Sequence, residues 1–282
     1  MSEPVGSPGG ERDNTPSEPV GSPGGDQPRL VRAEDAGAVR TITLDSPGNA
    51  NALSTGLLAQ LRQALEDAMT DPGVRVVVLT GSGKVFCAGA DLKEALASPA
   101  GATSLMAGVV ELLWNCAKPT ICRVNGAARA GGIGLVAACD IAIATERASF
   151  AFSEVRIGVV PAVISVPCLR RMTPRAAAEY FLTGEVFGAG RAAEIGLLTK
   201  VVGPADLDSE TARYAGLLLR GAPRALAGTK GVLRDVTAQT VAAGLASMAE
   251  LSGAFFASDE AREGMTAFAA KRAPAWVPAG DD

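Results

Sequence analysis

Residues Asn125–Gly134 read Asn-Gly-Ala-Ala-Arg-Ala-Gly-Gly-Ile-Gly, and this stretch decides the fold class. It follows the apolar run Thr120–Val124, which is typical of a buried strand, and it leads into a short helical pattern over Ile133–Ala138. A strand, a glycine-rich turn and a helix in this order indicate an α/β protein. The helix begins directly after two glycines, so free N–H groups and the positive end of the helix dipole converge on one spot.

Strands and helices alternate on both sides of this turn. The patterns predict strands at Val39–Asp45, Val74–Thr80, Asp140–Ala144 and Ser149–Phe152, and helices at Ser54–Met69 and Thr103–Cys116, with Ser54 as an N-cap. Such alternation implies parallel crossovers and a mixed α/β core. Beyond about Ala205 the strand signals stop, and helices are predicted at Leu207–Leu219, Pro223–Leu233, Val241–Phe256 and Asp259–Lys271.

The amino-terminal residues 1–28 differ from the rest of the chain. The string SEPVGSPGG occurs at Ser2–Gly10 and again at Ser17–Gly25, and the segment holds six Pro and six Gly. Such a composition buries too little apolar surface to offset the entropy of ordering. We therefore predict a disordered tail at 1–28, an α/β core at 29–205 and a helical region at 206–282.

The bulk composition excludes several classes of protein. The 282 residues include 26 basic and 30 acidic side chains, a net charge of −4 that argues against a general grip on nucleic acid. No uncharged run reaches the roughly 18 residues needed to cross a bilayer, and the N-terminus lacks a signal-peptide core. We expect a soluble, cytoplasmic protein with no nucleic-acid or membrane partner. The five cysteines form no C-x-x-C pair, so buried reduced thiols are expected.

The chain has no histidine. This excludes a Ser-His-Asp triad, a Cys-His dyad and an imidazole zinc site, and we expect no metal. Proton transfer would have to use carboxylates, Lys, Tyr or Cys, assisted by backbone dipoles.

A second turn, Val85–Leu92, follows the predicted strand at Val74–Thr80 and reads Val-Phe-Cys-Ala-Gly-Ala-Asp-Leu. Small residues in both turns let a ligand approach the backbone closely. Neither turn has the spacing of a dinucleotide fingerprint or of a phosphate loop. Composition alone leaves open that both are merely tight turns in which small residues pack.

Ala88–Leu92 and Asn125–Asp140 resemble the two signature segments of the crotonase (enoyl-CoA hydratase/isomerase) superfamily. The likeness also includes Asn51–Leu53, Ser153–Gly158, the helical stretch Leu182–Glu185, Glu263–Phe268 and Lys271–Pro274, and so extends from about residue 30 to 276. The run Ser153–Ser165 is similar to the branch that holds bacterial methylglutaconyl-CoA hydratase-like enzymes. The resemblance implies a crotonase-type ββα spiral core with a C-terminal helical oligomerisation region, and a homotrimer or a pair of trimers.

The resemblance also implies the roles of individual residues. The N–H groups of Ala90 and Gly131 would form an oxyanion hole for the thioester oxygen of an acyl-coenzyme A. Coenzyme A is then part of the substrate, and no separate cofactor is implied. Its adenine and pantetheine are expected beside Ala52, Leu53, Ala88, Asp91, Leu92 and Lys93. Asp91 has an alternative role as the cap of the next helix.

Family hydratases generally carry two glutamates, and here the second maps onto Glu154 while the first maps onto Gly134. The apolar neighbours of Glu154 should raise its pKa and suit it to acid–base catalysis; the alternative is an ion pair with Arg156 or Arg170. We predict an enoyl-CoA hydratase of lipid and fatty acid metabolism that adds water across the 2,3 double bond.

Three other functions are weighed against hydration. A Δ3,Δ2-enoyl-CoA isomerase would use Glu154 as a single proton shuttle, and a non-catalytic acyl-CoA binder would have lost its chemistry with Gly134. A thioester hydrolase is disfavoured because no histidine activates a nucleophile. Glu111 could supply a second carboxylate or be solvated, and Arg129 could meet an acyl carboxylate or only a neighbouring loop.

Overall fold

The computed structural model describes residues 28–97, 99–236 and 239–278, so the predicted tail lies outside it except for Pro28. The strands are β1 Val31–Ala36, β2 Val39–Leu44, β3 Val76–Gly81, β4 Val85–Cys87, β5 Thr120–Val124, β6 Ala127–Arg129, β7 Ile141–Thr145, β8 Ser149–Ala151, β9 Phe187–Gly188 and β10 Lys200–Val202. The helices are α1 Thr55–Thr70, α2 Leu92–Ala97, α3 Pro99–Asn115, α4 Gly131–Ala138, α5 Ala162–Arg171, α6 Pro174–Thr183, α7 Ala189–Glu194, α8 Leu207–Leu219, α9 Pro223–Asp235, α10 Val241–Phe256 and α11 Asp259–Ala269. Short 3-10 helices span Pro47–Asn49 and Ser153–Ile157.

The strands form two sheets, with orders β1-β2-β3-β5-β7-β10 and β4-β6-β8-β9. Pairing is parallel except for β1 with β2 and β8 with β9. Each of β3, β5 and β7 in the larger sheet is followed by β4, β6 or β8 in the smaller one, and then by one or two helices. This repeat builds a ββα spiral, and it confirms the α/β class and the crotonase-type core that the sequence predicted.

The main core lies between the larger sheet and the helices α1, α3 and α4. One face of α1 buries Leu57, Leu58, Leu61 and Leu65 completely, each worth roughly 1.5–3 kcal/mol of transfer free energy. The helix starts where the sequence indicates, because Ser54 Oγ accepts a hydrogen bond from the Leu57 N–H at 3.1 Å. Apart from half-buried Gly131, every residue of α4 is buried.

Helices alone follow β10 in the described part of the chain, as predicted. The helix α8 covers the other face of the larger sheet, where Val76, Val78, Ile121 and Ile143 pack with Leu207, Ala215 and Leu219. Arg75 anchors the end of the chain: Nη2 donates to Leu219 O at 3.0 Å and to Gly221 O at 2.7 Å, and Nη1 donates to Trp276 O.

One helical stretch differs from the sequence interpretation. Of the predicted helical stretch Leu182–Glu185, only Leu182 and Thr183 are helical. The helix α6 ends there because Gly184 takes a left-handed C-cap conformation with φ +61°. No single described helix has both the length and the hydropathy to cross a membrane; α10 and α11 meet that test only as a pair, with a 66° bend between them.

Candidate active site

The candidate site lies where three neighbouring parallel strands end. Ala88–Ala90 follow β4, Ala130–Gly131 follow β6, and Glu154 lies three residues beyond β8. The registers Cys87 with Ala128 and Arg129 with Ala151 align these carboxyl ends. Ligands of parallel sheets characteristically bind at this edge, so the topology brings the two predicted turns and the predicted carboxylate to one place.

The Ala90 backbone is held by a single bridge to Leu53. The Leu53 N–H donates to Gly89 O at 2.7 Å, and the Asp91 N–H donates to Leu53 O at 3.4 Å. Because the N–H groups of successive residues in a strand point to opposite sides, the Ala90 N–H points away from Leu53. That is the side on which β6 and its following turn lie. Ala90 is an exposed residue at this position.

Gly131 is the first residue of α4, and its N–H therefore has no partner within the helix. The preceding residue, Ala130, is fixed at both ends: its N–H donates to Ala151 O at 3.1 Å, and its carbonyl accepts from the Ile133 N–H at 2.9 Å. Ala130 has φ +47° and ψ −119°, a conformation that a residue with a side chain adopts only at a cost of about 1–3 kcal/mol. The strain aims the start of α4, and residue types alone do not reveal it.

The two turns touch through Gly89, which has φ +92°. A methyl group placed on Gly89 would lie 2.9 Å from Ala130 Cβ and 3.1 Å from Arg129 O. Both the backbone conformation and the close approach therefore require glycine. We therefore expect this contact to set the separation of the Ala90 and Gly131 N–H groups.

Glu154 lies in the 3-10 helix Ser153–Ile157 and is half-buried. Its Oε2 atom is buried and has no hydrogen-bond partner in the described chain. Burial raises the pKa of this carboxyl above its ordinary value, against a smaller opposing effect of its own backbone N–H. The alternative of a structural ion pair is wrong, because Arg156 Nε donates to Thr183 O and Arg170 Nη1 donates to Val166 O instead.

Gly134, one turn into α4, is buried against α5 and α3. A methyl group placed on it would overlap Ile164 Cγ2 and would lie 3.4 Å from Met106 Cε. Glu111, the other carboxylate considered for this site, is exposed on α3. The apolar side chains of Ile164 and Met106 therefore fill the space over position 134, where family hydratases carry a second acid–base group. We call these two side chains the apolar wall.

The residues predicted to contact coenzyme A differ in exposure. Ala52 and Leu53 are buried, Asp91 is half-buried, and Ala88, Leu92 and Lys93 are exposed. Asp91 Oδ1 accepts from the N–H groups of Lys93 at 3.0 Å and Glu94 at 3.4 Å, so Asp91 caps α2 as its alternative role required.

Sequence reasoning gave Asn51 no role of its own. Its buried side chain accepts from the Ser46 N–H and donates to Ser82 O and Val85 O, each at 2.9 Å. These bonds hold the Ala52–Leu53 turn against β4.

Arg129 does not face the candidate site. Its Nη1 donates to Ser149 O at 2.6 Å and its Nη2 donates to Ser149 Oγ at 2.9 Å. The side chain therefore ties β6 to β8. Of the two roles considered for Arg129, contact with an acyl carboxylate or with a neighbouring segment, the structure has the second.

A ββα spiral that presents two backbone N–H groups and a buried carboxylate at one sheet edge defines a crotonase-type protein. Residues 34–278 match the model of the family described as enoyl-CoA hydratase/isomerase. The chain belongs to this enoyl-CoA hydratase/isomerase family.

Individual relatives support the assignment to this family. A putative enoyl-CoA hydratase of Thermus thermophilus is 36% identical over 87% of this chain and 99% of its own length. The 2,3-dehydroadipyl-CoA hydratase of Escherichia coli is 36% identical over 84% of this chain and 94% of its own. The crystal structure of an enoyl-CoA hydratase from Shewanella pealeana, 34% identical, superposes with a TM-score of 0.84 and covers 88% of this chain and 96% of that one.

Proposed function

We propose that this protein is an enoyl-CoA hydratase in which Glu154 is the sole acid–base group. The observation that carries the proposal is the state of the Glu154 carboxylate. It is partly desolvated, and Oε2 is buried without a partner. This carboxylate forms no ion pair with any described residue, and it lies at the same strand ends as the Ala90 and Gly131 N–H groups. It is therefore suited to exchange protons with a bound ligand.

The proposed reaction returns Glu154 to its starting state. The ionised carboxylate takes a proton from water while the water oxygen forms a bond to C3 of the enoyl group. The π electrons move toward C1, and the thioester oxygen becomes an enolate oxygen that the Ala90 and Gly131 N–H groups stabilise. The enolate then takes the same proton from Glu154 onto C2, so the net change is the addition of one water.

The coenzyme A moiety is proposed to lie along α2 and the Ala52–Leu53 turn. Leu92 is 54% exposed and Leu96 is 87% exposed, so α2 offers apolar surface to the adenine or pantetheine beside the Lys93 ammonium group. The Glu94 carboxylate holds α2 in place, since Oε2 accepts from the Thr55 N–H at 2.7 Å and from Thr55 Oγ1 at 2.9 Å.

A second candidate is a Δ3,Δ2-enoyl-CoA isomerase. The apolar contact of Ile164 with Gly134 favours it, because proton transfer between C4 and C2 needs one carboxylate and no bound water. In that reaction Glu154 removes a proton from C4 and returns it to C2, while the double bond moves to C2–C3.

Product analysis with the full chain distinguishes these functions. We expect crotonyl-CoA to gain the mass of one water, and Glu154→Gln to lower kcat by about 10²–10⁴-fold. The control Glu111→Gln, at an exposed position, should leave the rate unchanged. Conversion of 3-enoyl-CoA to 2-enoyl-CoA without hydration would show that the protein is an isomerase and not a hydratase. Tight acyl-CoA binding without turnover would replace it by a non-catalytic binder.

We also propose that the protein assembles as a trimer or a pair of trimers through its C-terminal helices. Phe256 on α10 is 70% exposed and Phe268 on α11 is 87% exposed, and a groove of about 330 Å³ lies beside Trp276. Apolar side chains grouped in this way are typical of interfaces. Leu219 of α8 is not part of this surface, because it is buried against the larger sheet. A monomeric mass in light scattering would contradict the proposal.

A further inference from the structure

One face of α5 packs over the first turn of α4. Ile164 and Cys168 are four residues apart on α5 and therefore lie on the same face. Ile164 covers Gly134, and Cys168 is fully buried. Burial raises the pKa of the Cys168 thiol, and the negative charge of Glu154 adds to this effect. Ile164 therefore lies over the turn of α4 that starts at Gly131, the residue proposed to hold the thioester oxygen.

Met106 of α3 completes the apolar wall. Gly131 and Gly134 are three residues apart and lie on one face of α4. A methyl group on Gly131 would be 3.5 Å from Met106 Cε, and one on Gly134 would be 3.4 Å from the same atom. Met106 is 8% exposed and Ile164 is 3% exposed, so both side chains of this wall are packed into the core.

We infer that Ile164 is a specificity-determining residue of this site. By filling the volume above Gly134 it excludes a second acid–base side chain, or a water bound there, and leaves Glu154 alone to move the proton. The inference rests on the proposed function, because it assumes that an enoyl thioester occupies the hole. Position 134 is one turn from Gly131, so a carboxylate there could reach the water that adds to C3.

The packing half of the inference is tested by a stability cycle that needs no substrate. The variants are Gly134→Ala, Ile164→Ala and the pair together. Alone, Gly134→Ala should lower the melting temperature, because its methyl group overlaps Ile164 Cγ2. In the Ile164→Ala background the same change should lower it far less, since the methyl group enters the vacated space. Purely additive shifts would overturn the inference.

The chemical half is tested by adding a carboxylate. In the Ile164→Ala background, Gly134→Glu should raise kcat for hydration of crotonyl-CoA by about 10-fold or more over Ile164→Ala alone, a conservative part of a usual acid–base contribution. Gly134→Glu in the native background should lower the rate. The control pairs Gly134→Glu with Val163→Ala, a change of the preceding α5 residue, which also packs on the core but is absent from the contacts over Gly134.

The outcomes separate the inference from the proposed function. A folded double variant that binds acyl-CoA but is no faster than Ile164→Ala would overturn the inference, as would a rate gain in the native background. If the native chain turns over no enoyl-CoA at all, the proposed function fails. The stability cycle then still decides whether Ile164 excludes a side chain at position 134.

Discussion

Gly89→Ala perturbs the contact that sets the two N–H groups relative to each other. The left-handed φ of +92° costs an L-residue about 1–2 kcal/mol, and forcing a methyl group against Ala130 and Arg129 costs about 1–3 kcal/mol more. The lower entropy of the unfolded Ala chain offsets about 0.4–1 kcal/mol of this. We therefore expect the free energy of unfolding to fall by about 2–4 kcal/mol.

The matched control for this variant is Gly37→Ala. Gly37 has φ +58°, and a methyl group placed on it would meet no atom within 4 Å. It should therefore lose about 1 kcal/mol from backbone strain alone. The difference between the two variants, measured by urea denaturation, isolates the contact between the turns.

Gly89→Ala should also lower kcat in the protein that remains folded. Spreading the turns misaligns Ala90 or Gly131, and losing one oxyanion donor lowers kcat by about 10²–10³-fold. Initial rates of crotonyl-CoA hydration measure this loss for the folded protein, with Gly37→Ala expected at the native rate. Full kcat in a Gly89→Ala protein that has lost stability would refute the claim that this contact sets the geometry of the hole.

Four further predictions concern the packing and titration of this chain. Arg75→Met should lower the free energy of unfolding by about 2–4 kcal/mol and speed hydrogen exchange near Trp276, because three carbonyls lose a charged donor. The control Arg62→Met removes an exposed ion pair within a helix and should change stability little. Equal effects of the two changes would contradict the anchoring role of Arg75. Burial raises the pKa of Glu154, so the hydration rate should fall as pH drops through a midpoint above the ordinary value of about 4.3, and a midpoint at or below that value would contradict it. The same raised pKa stabilises the fold at low pH, and this contribution is lost as pH rises through the folded-state pKa. At neutral pH the native chain therefore holds a partly buried charge. The neutral variant Glu154→Gln should then have a higher free energy of unfolding than the native chain. All five cysteines are buried, and burial raises the pKa of Cys87 to about 12. A thiol reagent should therefore label no cysteine in the native state and five after denaturation. A native thiol that reacts fast would contradict this burial.

Long periodic elements were predictable from the sequence. Thr120–Val124, Leu207–Leu219 and Val241–Phe256 have the predicted bounds, because each carries enough apolar residues to define its period. The strands β4 and β6 were missed, since three residues of small or mixed type show no alternation. Their extended form comes from pairing with each other and with β8. The edge strand β1, which exposes four of its six residues, gave equally little signal.

The site was predictable where backbone conformation demands a residue type. Gly89 and Gly131 stand out in the sequence because few other residues permit a close approach of the backbone. Ile164 and Met106 could not be found in this way, since their contacts with Gly134 depend on the path of α3 and α5 rather than on local pattern. The ion pair weighed for Glu154 fails for the same reason, because neighbouring positions in sequence do not fix where Arg156 points.

We propose that the N–H groups of Ala90 and Gly131 hold a thioester oxygen beside Glu154. A crystal structure of the full chain with 3-hydroxybutyryl-CoA, the hydration product of crotonyl-CoA, tests this most directly. We predict the thioester oxygen at about 2.7–3.1 Å from both backbone nitrogens, with the C3 hydroxyl within hydrogen-bond reach of the Glu154 carboxylate. A thioester oxygen that contacts neither nitrogen, or a ligand seated instead in the groove beside Trp276, would contradict the account.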